Sequence, residues 1–470
     1  MNWYHVVYVL NVFFFVYMFI YAIFYFFNTF LAALKLDDFL VRKKHMSYVS
    51  LKHDENYIPI SILVPSYNEE VTVCDTIESL LCLDYPGYEI IVVNDGSTDE
   101  TANVLKKTYQ LKKVVRPIRK QIPCKEEKDI YEGVWKGVKI TLINKENGGK
   151  ADALNMGINA CNYPLYVCMD ADSVLQKDAL RKIVEPFLES DLTIAAGGNI
   201  KVSNHIVMKE GEVVEVRRPK KFIVVFQMLE YLRVFLTSRV AMNGLNSNLI
   251  ISGAFAIFSK QAAIHVGGYT QGVIGEDMDI VVKMHAFYRK NKIPYRIDYV
   301  PDAVCWTQVP EEYKILRRQR RRWHIGMSQS LISHFFLFLN PKYGATGMLI
   351  FPYFVIFEWL APIIEILGIF TIVLSYFLKI INIKFFFCYL IVYMGYNMLI
   401  TWVSVLLERH LFVEKVHKWL VVKLLLFGFL ENFGYRQICS VFRLTALFSV
   451  KRKNWGEMTR TKNLVYEEEI

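Results

Sequence analysis

From Val6 to Leu34 the chain runs without a charged residue, and nearly every position is aliphatic or aromatic. A run of that length spans a hydrocarbon core of ~30 Å with some tilt, so it reads as a membrane anchor. A secretory leader would carry basic residues ahead of the apolar run and a small-residue cleavage site behind it. Here Arg42, Lys43 and Lys44 follow the run instead. By the positive-inside rule the N-terminus lies outside and the region after it is cytosolic.

Two further runs, Met348 to Leu378 and Phe385 to Leu407, are also long enough to cross a bilayer. Glu358 and Glu365 interrupt the first of them. Carboxylates at that depth rarely face lipid; they line a polar path or pair within the helix bundle. The last apolar stretch, Trp419 to Val450, carries Lys423, Glu431, Arg436 and Arg443, which is polar for a lipid-exposed span. Three crossings return the chain to the cytosol at Glu408, where the basic tail from Lys451 to Arg460 prefers to stay. The final stretch is therefore expected to be interfacial or re-entrant, with a fourth crossing as the alternative.

Composition agrees: 53% hydrophobic residues and a mean hydropathy of +0.24 are too apolar for a simple soluble protein. The net charge is +10, and its lysines and arginines flank apolar stretches. That suits anionic headgroups and phosphorylated substrates and argues against nucleic acid. The eight cysteines form no CxxC pair and no metal-ligand spacing with histidine, so they read as reduced and packed.

Between the apolar ends, Tyr57 to Asn340 read as a soluble α/β domain. Short β-branched runs (Ile58 to Val64, Glu89 to Val93, Leu165 to Met169) alternate with helix-patterned stretches starting near Glu69, Asp99 and Lys150. Strand-then-helix repetition predicts a mainly parallel sheet with ligands at the carboxyl ends of its strands. The charged stretches Lys112 to Lys136 and Ser203 to Lys220 read as surface excursions. The expected organisation is an anchor over 1–34, a catalytic domain over 35–310, interface helices over 311–345, membrane and interfacial helices over 346–450, and a basic tail over 451–470.

Polar residues gather just past the apolar runs. The first run ends in Val64-Pro65-Ser66-Tyr67-Asn68-Glu69-Glu70 and the second in Val92-Val93-Asn94-Asp95-Gly96. Tyr67 offers an aromatic face, and Glu69 and Asp95 offer carboxylates, to a nucleotide base and ribose; a turn leading into a helix cap is the alternative. Gly148-Gly149-Lys150 opens a helix, where exposed N–H groups and an ammonium can receive phosphate oxygens, although the spacing is not that of a P-loop and an ordinary glycine turn is the alternative. Asp170-Ala171-Asp172 closes an apolar strand with two carboxylates, an unfavourable arrangement unless Mg²⁺ or Mn²⁺ sits there with a substrate diphosphate; a structural helix cap is the alternative. The run Ile251 to Phe255 reads as a small-residue strand. Glu276-Asp277 opens another helix; the pair caps it, or Asp277 takes the proton of an attacking hydroxyl. Finally, Leu316 to His324 combines five arginines with Trp323. These hold a diphosphate and stack a sugar, or lie on headgroups as a basic amphipathic helix.

In this order the pieces resemble the processive family 2 glycosyltransferases, the group of cellulose, hyaluronan, mixed-linkage β-glucan and poly-N-acetylglucosamine synthases. The resemblance runs from about Ile58 to Trp323 and rests on Asp95, Asp170-x-Asp172, Glu276-Asp277 and Gln319-x-x-Arg322-Trp323. It implies an α/β GT-A (Rossmann-like) domain with an α-helical transmembrane region, and inversion at the anomeric carbon. It assigns uridine to Tyr67 and Asp95, metal to Asp172 with Asp170 beside it, the base to Asp277, and acceptor and diphosphate to Gln319, Arg322 and Trp323. Trp455 to Arg460 loosely resembles the Trp-Gly-Thr-Arg element of hyaluronan synthases, with two residues inserted. The chain leaves no space for the C-terminal cyclic-dinucleotide-binding barrel of bacterial cellulose synthases. With one span before the catalytic domain, a translocation path is expected to need a homo-oligomer or an accessory export subunit.

The expected activity is extension of a β-linked polysaccharide from a UDP-sugar onto a growing glycan. The product leans to a β-glucan from UDP-glucose, with poly-N-acetylglucosamine next and hyaluronan third. A non-processive transferase acting on a lipid phosphate carrier is the nearest enzymatic rival. A receptor built on a dead transferase domain is the non-enzymatic one.

Overall fold

A computed structural model describes residues 3–46, 57–171, 173–381, 383–412 and 418–448. Twelve strands follow in chain order: β1 (Ile60–Ser66), β2 (Tyr88–Asn94), β3 (Lys112–Val114), β4 (Glu127–Trp135), β5 (Val138–Lys145), β6 (Leu165–Cys168), β7 (Ser173–Leu175), β8 (Thr193–Val202), β9 (Ile206–Lys209), β10 (Glu212–Val216), β11 (Ala256–Ser259) and β12 (Arg296–Thr307). Ten of them form one sheet in the order β3-β4-β5-β2-β1-β6-β11-β8-β12-β7. Its centre is parallel, with Val64 of β1 opposite Val92 of β2, and Ile60 opposite Leu165 of β6. The continuous apolar runs exist because both faces of these strands are covered. Ile60, Ile62 and Val64 enter the core on one face while Leu63 enters the core on the other, and all four are fully buried. Each such side chain contributes roughly 1.5–3 kcal/mol.

The sheet is mixed rather than mainly parallel. β11 runs antiparallel to both β6 and β8, and β7 runs antiparallel to β12. The expected strand Ile251–Phe255 is a loop and turn; the strand begins one residue later, at Ala256. The bulk of this loop explains the small residues opposite it. A Cβ on Gly198 would lie 2.2 Å from the Phe255 ring, so β8 admits that ring only as glycine. The two charged excursions also contain structure: β3 and β4 pair at the sheet edge, and β9–β10 form a hairpin. Glu210 and Gly211, both at positive φ, make its two-residue turn.

At the N-terminus, Trp3–Met46 is one continuous helix. His5–Lys44 and Phe386–Leu411 are each long and apolar enough to cross a membrane, and Thr346–Trp359 with Ala361–Phe377 would add a third span if this pair, bent by 48°, is one. The first helix packs by aromatic contact, Phe24 stacking on Tyr353 with centroids 4.4 Å apart. The last apolar stretch is broken into helices Lys418–Leu430 and Tyr435–Leu447, with Gly434 at φ +98° between them. At 1.5 Å per residue, neither half reaches across ~30 Å of hydrocarbon.

Candidate active site

The polar ends of β1 and β2 are stitched to each other. Asn68 N–H donates to Ser97 Oγ (3.0 Å), Thr98 N–H to Asn68 Oδ1 (2.9 Å) and Glu69 N–H to Thr101 Oγ1 (2.8 Å). The Glu69 carboxylate is buried and accepts from Thr72 Oγ1 at 2.7 Å, whereas Tyr67 stays half exposed. Asp95 is turned inward and is 3% exposed. Its carboxylate accepts from Lys145 Nζ (2.6 Å), Gly148 N–H (2.9 Å) and Gly149 N–H (2.7 Å). Asp95 is therefore the anchor of the glycine turn that opens helix Lys150–Ala160.

Sequence reasoning missed the cation at the centre of that anchor. Lys145, the last residue of β5, is fully buried between Asp95 and Asp152, with its ammonium 2.6 Å from a carboxylate oxygen of each. Asp152 also accepts from Lys125 N–H and from Gln271 Nε2. A lysine at a strand end normally reads as solvent-facing; only two acids separated from it in sequence mark this one.

One turn along the same path, the Lys150 ammonium lies between Asp170 Oδ1 (2.6 Å) and Glu276 Oε1 (2.9 Å). Burial is the largest influence on Lys150 and works against its charge, but Asp170 and then Glu276 outweigh it and hold the group cationic well above the ordinary lysine range. Burial pushes the Glu276 carboxyl up; Lys150 opposes this and neighbouring Asp277 adds to it. Lys150 thus ties the end of β6 to the first turn of helix Glu276–Lys290, the sequence elements expected to carry metal and base.

Asp277 is held by backbone donors: Oδ2 accepts Gly253 N–H at 3.2 Å and Oδ1 accepts Met278 N–H at 2.8 Å. The loop packs closely here: a Cβ on Gly253 would sit 3.3 Å from Lys150 Nζ and 3.4 Å from Asp277 Cβ. Asp172 lies outside the described residues, as does Trp455–Arg460. Among the described residues no cluster of three or more His, Cys, Asp or Glu side chains closes a cation site by itself. Mg²⁺ and Mn²⁺ do not require one where a carboxylate and a substrate diphosphate complete the shell. Asp170 fits that donor set: its side chain is 36% exposed at the strand end and lines the cavity described below, while Lys150 bonds only Oδ1.

The arginine-rich segment forms helix Tyr313–Ser333. Arg320 is buried and pairs with Glu230 at 2.7 Å, and this pair lines the cavity together with Gln319, Arg322 and Trp323. Gln319 is 8% exposed, and its Oε1 has no hydrogen-bond partner. The Trp323 side chain is 43% exposed. This helix is locked to the catalytic turn by a backbone crossing that no spacing foretells: a Cβ on Gly326 would lie 2.6 Å from Gly275 N. Alanine in mid-helix is ordinarily favoured over glycine by about 1 kcal/mol, so Gly326→Ala should stabilise an unconstrained helix. Here it pushes Trp323 away from Asp277. Displacements near 1 Å cost on the order of 10²-fold in rate, and we expect kcat of Gly326→Ala to fall by about that factor while donor affinity is retained in a titration with UDP-sugar.

Most of these groups meet on one cavity of about 1510 Å³. Lys150, Asp170, Glu276, Asp277, Gln319, Arg322 and Trp323 line it; Tyr67, Glu69 and Asp95 do not, and of these Asp95 holds the glycine turn. The volume exceeds the roughly 300–1,000 Å³ of single-ligand pockets, which leaves room for donor and acceptor together. The cavity continues between the apolar helices, past Tyr17, Tyr353 and Phe357 to Glu358 and Glu365. Both readings of those acids are realised at once, since Tyr353 OH donates to Glu358 (3.3 Å) and Ser440 Oγ donates to Glu365.

A doubly covered α/β sheet with acids at its strand ends, opening onto membrane helices, defines a class of membrane-associated transferase domains. The family model described as glycosyl transferase family group 2 matches residues 166–429, and that of glycosyl transferase family 2 matches residues 61–123. The chain belongs to glycosyl transferase family group 2, and its catalytic domain has the expected GT-A fold. A poly-β-1,6-N-acetyl-D-glucosamine synthase of Staphylococcus epidermidis is 31% identical over 305 residues, 65% of this chain and 63% of that protein. The synthase of the same description from Staphylococcus aureus strain COL is 30% identical over 309 residues, 66% of this chain and 64% of that one. The matched part thus spans somewhat under two thirds of these relatives. Among solved structures, a mannosyltransferase of Pyrobaculum calidifontis in complex with GDP-Man and Mn²⁺ aligns over 91% of this chain and 97% of its own, at 17% identity and a TM-score of 0.49.

Proposed function

We propose that this chain is a processive, inverting glycosyltransferase that builds a β-linked N-acetylglucosamine polymer at the cytosolic face of a membrane and passes it between its own apolar helices. The observation that supports this most is the single cavity running from Asp277 and Lys150 past Trp323 to Glu358 and Glu365. A transferase that released its product after each addition would have no use for a sugar-sized path leading away from its base. The positions of Arg42, Lys43 and Lys44 favour a cytosolic catalytic domain. The curated relatives favour the acetylated polymer, the second reading of the sequence, over the β-glucan that led it.

In this account Asp277 takes the proton from the acceptor hydroxyl, whose oxygen attacks the anomeric carbon of the UDP-sugar. UDP leaves from the opposite side, so one displacement inverts the centre. The two N–H bonds on Asp277 orient the carboxylate for proton uptake without solvent rearrangement. Lys150 and Arg322 face the charge that gathers on the departing diphosphate. Asp170, with Asp172, would hold Mg²⁺ or Mn²⁺, which when bound screens that diphosphate. Trp323 provides the face on which the acceptor sugar stacks, and the orphaned Gln319 Oε1 is available to one of its hydroxyls. Uridine would meet the half-exposed face of Tyr67, with Asp95 holding the glycine turn.

The test is to supply membranes containing the chain with one donor at a time, with Mg²⁺ or Mn²⁺, and to digest any product with linkage-specific hydrolases. UDP-N-acetylglucosamine alone should yield a polymer sensitive to a β-N-acetylglucosaminidase, and a chelator should stop its synthesis. Polymer from UDP-glucose alone would return the glucan reading. A need for two donors would favour hyaluronan, and a single sugar on a lipid would favour the carrier transferase.

A further inference from the structure

The helix Phe222–Leu232 widens into a π-helical turn over Arg233–Ser238 before α-geometry resumes at Arg239. Such insertions re-aim the side chains around them and recur at functional sites. Here they separate two arginines. Arg233 points into the helix bundle, where its guanidinium makes a two-pronged pair with Glu431 (2.7 and 2.9 Å) and a bond to Thr401. Both line the cavity, Arg239 without a pair of this kind.

Other cations lining the cavity have partners in the protein: Lys150 has Asp170 and Glu276, Arg320 has Glu230, and Arg436 has Asn397. Arg239 makes no side-chain hydrogen bond or ion pair with any described residue. Burial holds its pKa below the usual arginine value, and Tyr299, Asp277, Glu358 and Tyr353 act on it only through space. A guanidinium carries five N–H donors and no acceptor, and Arg239, only partly buried, presents them to the open cavity. A glycan that fills this stretch displaces the water on those donors and must offer acceptor oxygens in its place. Asp277 of the catalytic domain and Glu358 of the apolar helices line the same cavity as Arg239, so the acceptor path proposed between them passes this arginine.

We propose that Arg239 is an acceptor-binding, specificity-determining residue, donating to the acetamido carbonyl of the glycan end. This rests on the reading of the cavity as a glycan path. The carbonyl is the strongest neutral acceptor on an N-acetylhexosamine polymer, and it accepts without needing to donate. Glucose hydroxyls must also place their protons, for which a guanidinium offers no acceptor. Arg239 thus favours an acetylated glycan over a glucan where the chain meets the base.

The test is a calorimetric titration of the full-length chain in detergent with two probes, a β-1,6-linked N-acetylglucosamine pentasaccharide and the glucose pentasaccharide of the same linkage, in the presence of UDP. The unchanged protein should bind the acetylated probe roughly tenfold or more tightly than the glucose probe, the scale of one hydrogen bond to a charged group. Arg239→Gln should bring the ratio close to one, Arg239→Lys should keep part of it, and both should bind UDP as before, which also shows that they fold. An unchanged ratio in Arg239→Gln overturns the proposal. So does a loss of UDP affinity as large as the loss of oligosaccharide affinity, which would put Arg239 on the diphosphate. If the unchanged protein binds neither probe and makes no polymer from UDP-N-acetylglucosamine, the reading of the cavity falls with it.

Discussion

Asp277→Asn is expected to bind UDP-N-acetylglucosamine as the unchanged chain does and to transfer sugar about 10²–10⁴-fold more slowly, the usual worth of a positioned general base. The asparagine keeps the shape of the side chain and can still accept Gly253 N–H through its carbonyl oxygen. What it loses is the capacity to take a proton. Glu276→Gln makes the contrast. That carboxylate is bonded to Lys150, so its loss loosens the ammonium that joins β6 to the catalytic helix. The effect should then appear in donor affinity as well as in turnover. Radiolabel incorporation at saturating donor, set beside a direct binding titration, separates the two. Polymer made at an undiminished rate by Asp277→Asn would place the base elsewhere.

The second large effect concerns stability. Lys145→Met removes the one cation between Asp95 and Asp152 and leaves two uncompensated carboxylates in the interior. Breaking a buried pair in this way costs about 3–5 kcal/mol. The cost should show as a clear fall in the thermal unfolding midpoint of the detergent-purified chain. Adding Asp152→Asn should recover part of it by removing one of the orphaned charges. Because Asp95 also holds Gly148 and Gly149, donor binding should weaken at temperatures where the variant is still folded. A midpoint equal to that of the unchanged chain would show that water reaches the pair.

How much of this could be read from residues alone depended on whether the physics was local. The central strands were legible because burial on both faces demands unbroken apolar runs, and Ile60–Ser66, Tyr88–Asn94 and Leu165–Cys168 lie within two residues of where those runs suggest. The antiparallel insertion of β11 was not legible. Ile251–Phe255 looks like a strand by composition, yet Gly253 N–H is turned to the Asp277 carboxylate and pairing starts only at Ala256. The acids at strand and helix ends announced themselves, because paired carboxylates beside apolar sequence need a reason. Lys145 and Arg239 did not, since a lone basic residue has an ordinary reading until its surroundings are known. The Gly275–Gly326 crossing joins positions far apart in the chain and leaves no periodic trace. Asp95 was noticed as polar residues past strands are, but its direction, inward to Lys145 and the glycine turn, is a fact of packing.

The break at Gly434 has a similar lesson. The charges between Trp419 and Val450 suggest an interfacial or re-entrant element, with a fourth crossing as the alternative, and the structure shows where Glu431 and Arg436 go. Glu431, at the break, satisfies Arg233, and Arg436 just beyond it bonds Asn397. Polar residues here close the bundle around the cavity, which is why a fully apolar sequence would not serve.

The central claim is that one cavity holds a glycan between additions while Asp277 works at its mouth. The most direct measurement supplies scarce enzyme in membranes with UDP-N-acetylglucosamine and a large excess of a short labelled β-1,6-N-acetylglucosamine acceptor, and sizes the products at the lowest measurable conversion. The account predicts long chains beside acceptor that has not been used at all. A population of acceptors all longer by one sugar, advancing in step as conversion rises, would contradict it.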